Sequence, residues 1–275
     1  MNLDKALDHV NQSAWNSRDA RREFTTHPGW SDPGERAAIE WVASRTRGQP
    51  ILDVGVGAGR TVPLLTALSN DYTAVDYTHR LIDLCKERHP GIDLRWMDAR
   101  DMSALPSDHY AFVQFSWNGI DCVDYDGRMR ILQEMKRVTR PGGLILFSSH
   151  NREGPGYREP FSRIFPVFTF NPLKLGVRTL RTLRRLPAAS YNYLRHARLT
   201  RDFDGYSIAT AAAHNFGIVI VYTTLAHERR QIANLGLELE AVFGSSDTQR
   251  IADDAVSSDA WWLHFVARKP EHAPA

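Results

Sequence analysis

Ile51-Leu52-Asp53-Val54-Gly55-Val56-Gly57-Ala58-Gly59-Arg60 is the stretch that decides the fold. Ile51 to Val54 reads as a short apolar strand, three glycines follow two residues apart, and Thr61 to Leu68 reads as a helix. A strand that turns at once into a helix needs glycine, because the backbone must turn tightly and let a ligand approach its amides. The spacing separates the candidate ligands. A dinucleotide-binding G-x-G-x-x-G counted from Gly55 would place its third glycine where the chain has Arg60, and no Gly-Lys-Ser/Thr follows to make a phosphate loop. Asp53 at the strand end would repel a pyrophosphate but suits the ammonium of an amino-acid moiety.

Outward from this turn, strands and helices alternate. Tyr72 to Val75, Leu94 to Met97 and Ala111 to Phe115 read as strands, with a helix at Arg80 to Arg88. Arg128 to Val138 is an amphipathic helix, and Pro141-Gly142-Gly143 turns into a fifth strand, Leu144 to Phe147. Apolar strands spaced by helices imply a parallel sheet covered on both faces. The alternation stops after His150. Residues 152–215 are rich in Arg, Pro and aromatic residues without a regular period, too long for an ordinary loop, and read as an inserted cap of short helices with a strand or two. Phe216 to Leu225, Leu237 to Phe243 and Trp261 to Ala267 read as further strands, with a helix at Ala226 to Leu235. The expected organisation is an N-terminal helical segment and lid (1–47), a ligand-binding core (48–151), a cap (152–215), strands and a helix completing the core (216–269), and a tail (270–275).

At this point Asp53-Val54-Gly55-Val56-Gly57-Ala58-Gly59 resembles motif I of the class I S-adenosylmethionine-dependent methyltransferases. Ala74-Val75-Asp76-Tyr77 stands where that family holds the cofactor ribose with a carboxylate, a group that accepts two hydroxyl donors. Trp96-Met97-Asp98-Ala99 stands where it contacts adenine, and Val138-Thr139-Arg140-Pro141-Gly142-Gly143 resembles the turn before its fifth strand. The resemblance covers about residues 48–151. It implies a doubly wound, mostly parallel seven-stranded sheet of the Rossmann-like methyltransferase type with the cap after the fifth strand. It also implies S-adenosylmethionine as cofactor, held by Asp53, Gly55, Gly57, Gly59, Arg60, Asp76, Tyr77, Asp98, Ala99 and Ser116. Read singly, Asp76 is equally a helix cap, Asp98 a turn residue and Arg60 a solvated helix arginine. Their shared place at carboxyl strand ends, where open α/β sheets bind ligands, favours the cofactor.

Methyl transfer needs the acceptor lone pair in line with the S–CH3 bond, and a base only where the acceptor must lose a proton. His150 is the one histidine expected at the carboxyl end of a sheet strand and is the candidate base; the alternative is a histidine that orders its loop. Asp121, on the loop after the fourth strand, is the second catalytic candidate, to position the acceptor or to replace His150 as base, and Asn118 of the same loop, Tyr157 of the cap and Trp30 ahead of the core are candidates to bind the acceptor. The expected acceptor is a hydroxyl of a small polar molecule, a sugar or natural product. An amine or carboxylate of a metabolite, RNA, and a non-catalytic role are the rivals. No metal is expected, since Asp98, Asp101, Asp121 and Asp124 form no motif.

The totals restrict partners. The 275 residues are 43% hydrophobic and 24% charged with a net charge of +2, a globular composition that argues against nucleic acid. The arginines between Arg152 and Arg201 read as a solvated face, an anion- or carbohydrate-recognising surface, or a homodimer contact. Two cysteines without metal spacing, a charged amino terminus and no apolar run near the ~20 residues of a membrane span point to a cytoplasmic chain with no membrane contact.

Overall fold

The computed structural model describes residues 3–15 and 29–271. A helix α1 (Leu3–Trp15) and a second, α2 (Pro33–Thr46), precede the glycine turn. Asp32 caps α2 by accepting from the Glu35 amide at 2.8 Å, and Pro33 occupies the first turn, where its missing N–H costs nothing. Then come β1 (Ile51–Val54), α3 (Val62–Thr66), β2 (Tyr72–Asp76), α4 (His79–Arg88), β3 (Asp93–Trp96), β4 (Tyr110–Phe115), α5 (Tyr125–Val138) and β5 (Thr139–His150). After an intervening unit, α7 (Leu225–Asn234), β9 (Glu238–Gly244) and β10 (Trp262–Arg268) complete the chain.

Seven strands form one sheet, as expected, and their order is β3-β2-β1-β4-β5-β10-β9. All neighbours are parallel except at β10, which runs antiparallel to both β5 and β9. The strand order reverses between β1 and β4, and their carboxyl ends open the crevice that holds ligands in such sheets. Alternate strand residues feed two cores. Leu52, Val54, Val113, Phe115, Ile145 and Phe147 pack on α5 and α7, whereas Ile51, Ala74, Phe112, Leu144 and Leu146 pack on α2, α3 and α4. Burial on both faces is why these strands read as continuous apolar runs. The Pro141-Gly142-Gly143 turn lies within β5. Tyr110 pairs with Thr139 but Phe112 with Leu144, so the residues between bulge from the ladder.

Two expectations for the insertion need correction. The strand at Phe216 to Leu225 does not rejoin the main sheet. As β8 (Ile218–Thr223) it pairs with β7 (Tyr206–Ala211), and β7 with β6 (Arg201–Asp202), in a separate antiparallel sheet, so the inserted unit runs to Thr224. The segment before it is dominated by one helix of 25 residues, α6 (Pro172–His196), rather than short ones. Packing on β8 fixes α1: the Asn11 side chain donates to the Val219 carbonyl and accepts from its amide, at 2.7 and 3.0 Å.

Candidate active site

One cavity opens at the carboxyl ends of β1, β2 and β4. The glycine loop (Gly55, Val56, Gly57) forms one wall, and Asp76, Tyr77, Thr78, Leu81, Met97 and Ala99 another. Phe115 to Gly119 follow from β4, His150 from β5, Trp15 from α1, and Ala213, His214 and Ile218 from the insertion. Gly55, Gly57 and Gly59 all have positive φ, at 66°, 57° and 88°. A Cβ at Gly55 would lie 2.2 Å from the Phe115 ring, so the residue is needed for space as well as for φ. Asp76 ties the two walls: one carboxylate oxygen accepts from the Gly57 amide at 2.9 Å, the other from Thr78 at 2.7 Å. Burial pushes its pKa up.

Asp53 lies beneath the loop, fully buried. Thr61 and Tyr72 donate to one of its oxygens at 2.5 and 2.8 Å, and the other has no partner among the described residues. Burial, opposed by those two bonds, lifts its pKa to about 6. Arg60 borders the cavity, but its guanidinium is taken by the buried Glu35 in a two-pronged pair at 2.7 and 2.8 Å, and it lies over the Trp117 ring. The Ser116 hydroxyl joins the same pair, bonded to both Glu35 and Arg60. Sequence reading missed Glu35, because its partner lies 25 residues away, beyond the rest of α2 and the whole of β1.

At the opposite wall His150 and Asp121 form a dyad. The Asp121 carboxylate, fully buried, accepts from the His150 backbone amide at 2.6 Å and lies 2.9 Å from Nδ1. Its second oxygen accepts from Ser149 at 2.9 Å and from the buried Arg128 at 3.2 Å, and Arg128 pairs with buried Glu228 at 2.7 Å. A carboxylate facing Nδ1 fixes the tautomer with the proton there, which leaves the Nε2 lone pair for the cavity. Asn118 Nδ2 stands 3.5 Å from Nε2, at the outer limit of a hydrogen bond, and its carbonyl oxygen is buried without a partner among the described residues. Trp117 and Asn118 both adopt left-handed φ, 50° and 56°, a costly conformation for non-glycine residues that is typical of functional loops.

The structure therefore brings Gly55, Gly57, Arg60, Asp76, Tyr77, Ala99, Ser116, Asn118 and His150 to one cavity, along with Met97, Thr78, Leu81, Phe115, Trp117 and Cys122, which sequence reading did not select. Other expected residues stand elsewhere. Asp121 faces the imidazole rather than an acceptor. Burial alone would push the Asp98 carboxyl up, but Arg100 outweighs it and holds the carboxyl low through a two-pronged pair turned away from the cavity lining. The Tyr157 hydroxyl is bound to Asp202 and Ser207 in the small sheet, at 2.8 and 3.1 Å. Trp30 stands at the rim with its ring 5.4 Å from that of Trp117. Trp15 closes on His214 at 5.2 Å; residues 16–28 of the expected lid lie outside the described residues.

Residues 51–143 match the family model of the methyltransferase domain. The fold is that of the class I S-adenosylmethionine-dependent methyltransferases, and the family match lies on the strands and loops that wall the cavity. Over 157 residues the chain is 27% identical to the demethylmenaquinone methyltransferase of Lysinibacillus sphaericus, covering 53% of this chain and 63% of the relative. Over 106 residues it is 37% identical to the phthiotriol/phenolphthiotriol dimycocerosates methyltransferase of Mycobacterium tuberculosis, covering 37% of each. The chain thus spans less than two thirds of the length of these relatives. Across 97% of the chain the fold matches the 1,6-didemethyltoxoflavin-N1-methyltransferase of Burkholderia thailandensis, a structure with bound acceptor and S-adenosylhomocysteine, at a TM-score of 0.59, 12% identity and 90% coverage of that chain.

The cofactor of this family is S-adenosylmethionine, and the cavity fits it. An apolar slot of Tyr77, Leu81, Met97 and Ala99 suits a purine and Asp76 suits a diol, whereas Asp53 and Gly59, expected to touch the cofactor, lie outside the cavity lining.

Proposed function

We propose that this methyltransferase transfers a methyl group from S-adenosylmethionine to a hydroxyl of a small molecule with an apolar body. The observation that carries the reading is the His150–Asp121 dyad facing the same cavity as the glycine loop. The cofactor supplies an electrophilic methyl group on a sulfonium. His150 Nε2 takes the acceptor proton, and Asp121 holds the ring by Nδ1 and stabilises the imidazolium as it forms. Asn118 offers its free carbonyl oxygen to orient the acceptor. Phe115, Trp117 and Ile218 exclude water, and this apolar lining favours a natural product of apolar body over a sugar.

His150→Ala lowers turnover at least ~10²-fold while S-adenosylhomocysteine affinity stays within a few-fold. Asp121→Asn, which disturbs the tautomer, lowers turnover in the same direction. Near-normal turnover of the alanine variant, with any acceptor found by mass spectrometry of methylated metabolites, removes His150 from the mechanism.

A further inference from the structure

The inserted helix buries one side and leaves an apolar stripe on the other. Thr182, Ala189 and His196, seven residues apart, are the buried positions of α6. They dock it: His196 Nδ1 meets the Phe216 carbonyl at 2.9 Å, Asn192 donates to the Asn215 carbonyl at 3.1 Å, and Thr182 donates to Ile164 at 3.0 Å. On the helix's other side Leu173, Val177, Leu180, Tyr191 and Leu194 follow a helical spacing and point to solvent, Leu173 being 81% exposed. The preceding loop adds Phe165, Val167, Phe168 and Phe170, the last 95% exposed, and Arg178 holds that loop beside the helix by donating to the Val167 carbonyl at 3.0 Å. A soluble surface rarely shows so long an apolar run without a use.

The charge pattern selects what covers it. From Pro160 to Arg201 the chain has nine Arg and Lys residues and no Asp or Glu, in a protein whose whole net charge is +2. On a helix advancing about 100° per residue, Lys174 and Arg181 fall along one border of the exposed stripe and Arg184 within it. A second copy of the chain would set the same cations against one another. An RNA would neutralise them but leave Phe168, Phe170 and Leu173 in water. An anionic lipid surface satisfies both, taking the apolar stripe among its acyl chains while the long basic side chains reach its headgroups.

We propose that α6 and the Phe165–Phe170 loop form a membrane-docking surface for anionic lipid bilayers, contrary to the expectation from sequence of no membrane contact. The docked helix packs on the turn Ala213–Phe216, whose Ala213 and His214 line the cavity, so the membrane contact is continuous with the wall of the site. The inference stands apart from the methyl-transfer reading, because its readout is binding to lipid.

The test is sedimentation of the full chain with vesicles of phosphatidylcholine alone or with phosphatidylglycerol at about one third of the lipid. The protein pellets with the anionic vesicles and is released by salt. Arg181→Gln with Arg184→Gln weakens partitioning by roughly tenfold or more. Leu173→Glu with Leu180→Glu weakens it at least about tenfold, and both pairs keep the wild-type circular dichroism because all four residues are exposed. Should the helix variants misfold, Phe170→Ser reads the same contact from the loop. The proposal is overturned if wild type stays in the supernatant with anionic vesicles, or if all variants pellet as wild type does. It is equally overturned if a short RNA hairpin retains the protein while vesicles do not, or if wild type is a dimer by ultracentrifugation that Leu180→Glu dissociates.

Discussion

Asp53 shows what a single buried carboxyl does to both stability and binding. Its pKa of about 6, lifted by burial, exceeds the 3.8 usual for aspartate. Between these values the folded protein holds a proton that the unfolded chain has lost, so stability falls as pH rises through the window and stays lower above it. Two units correspond to at most about 3 kcal/mol. Asp53→Asn removes the ionisation while keeping an acceptor for Thr61 and Tyr72. The ligand-free variant is therefore expected to be more stable than wild type at pH 7 by about 1–3 kcal/mol, the gain shrinking as pH falls toward 4, in urea unfolding followed across pH. It is also expected to bind S-adenosylhomocysteine more weakly, since a negative charge beneath the glycine loop attracts a cationic ligand in the cavity above it. A variant less stable than wild type at pH 7 would show that Asp53 ionises at little cost. Sequence reading found this carboxyl by its motif. It also named His150 and Asp121, 29 residues apart, but not their contact, because only the sheet brings the end of β5 beside the loop after β4.

At the level of elements, the glycine loop and the start of α4 form one unit because Asp76 bonds both. Of the two readings open in the sequence, helix cap and ligand contact, the first does not hold, because the N-cap of α4 is Thr78; Asp76 closes a turn onto the Thr78 amide and borders the cavity. Asp76→Asn replaces one acceptor by a donor that faces a backbone N–H, so one wall must shift. Calorimetry is expected to show S-adenosylhomocysteine binding weakened by about 1–3 kcal/mol; unchanged affinity would reduce Asp76 to a turn residue. The parallel strands were legible because burial on both faces makes uninterrupted apolar runs. The helix α6 was not legible, for the opposite reason. Its buried side carries Thr182, Ala189 and His196, which give no apolar period, and Gly176 and Pro187 interrupt the helix. The strand β8 was recognised as a strand but assigned to the wrong sheet, since an apolar run, Ile218 to Tyr222, carries no mark of its partner.

For the whole molecule, the cavity is assembled from distant parts of the chain: α1 through Trp15, the family-matching core, and the insertion through Ala213, His214 and Ile218. Among the described residues no helix is long and apolar enough to cross a membrane. Left-handed φ at His214, Asn215 and Phe216 places strain in the insertion's wall, and such a turn opens at lower cost than the sheet behind it. A ligand touching all three parts stabilises the protein by mass action and suppresses their local opening together. Hydrogen exchange with saturating S-adenosylhomocysteine is therefore expected to slow in the glycine loop, in the last turn of α1 and across Ala213 to Ile218. The central strands β1 and β4, already protected, change less. The alternative is sharply different: if slowing stays within residues 51–143, the insertion is an accessory surface, and its wall of the cavity takes no part in holding the cofactor. Adding an acceptor identified by methylation would then be the next titration, because a cap that serves the acceptor alone slows only with both ligands present.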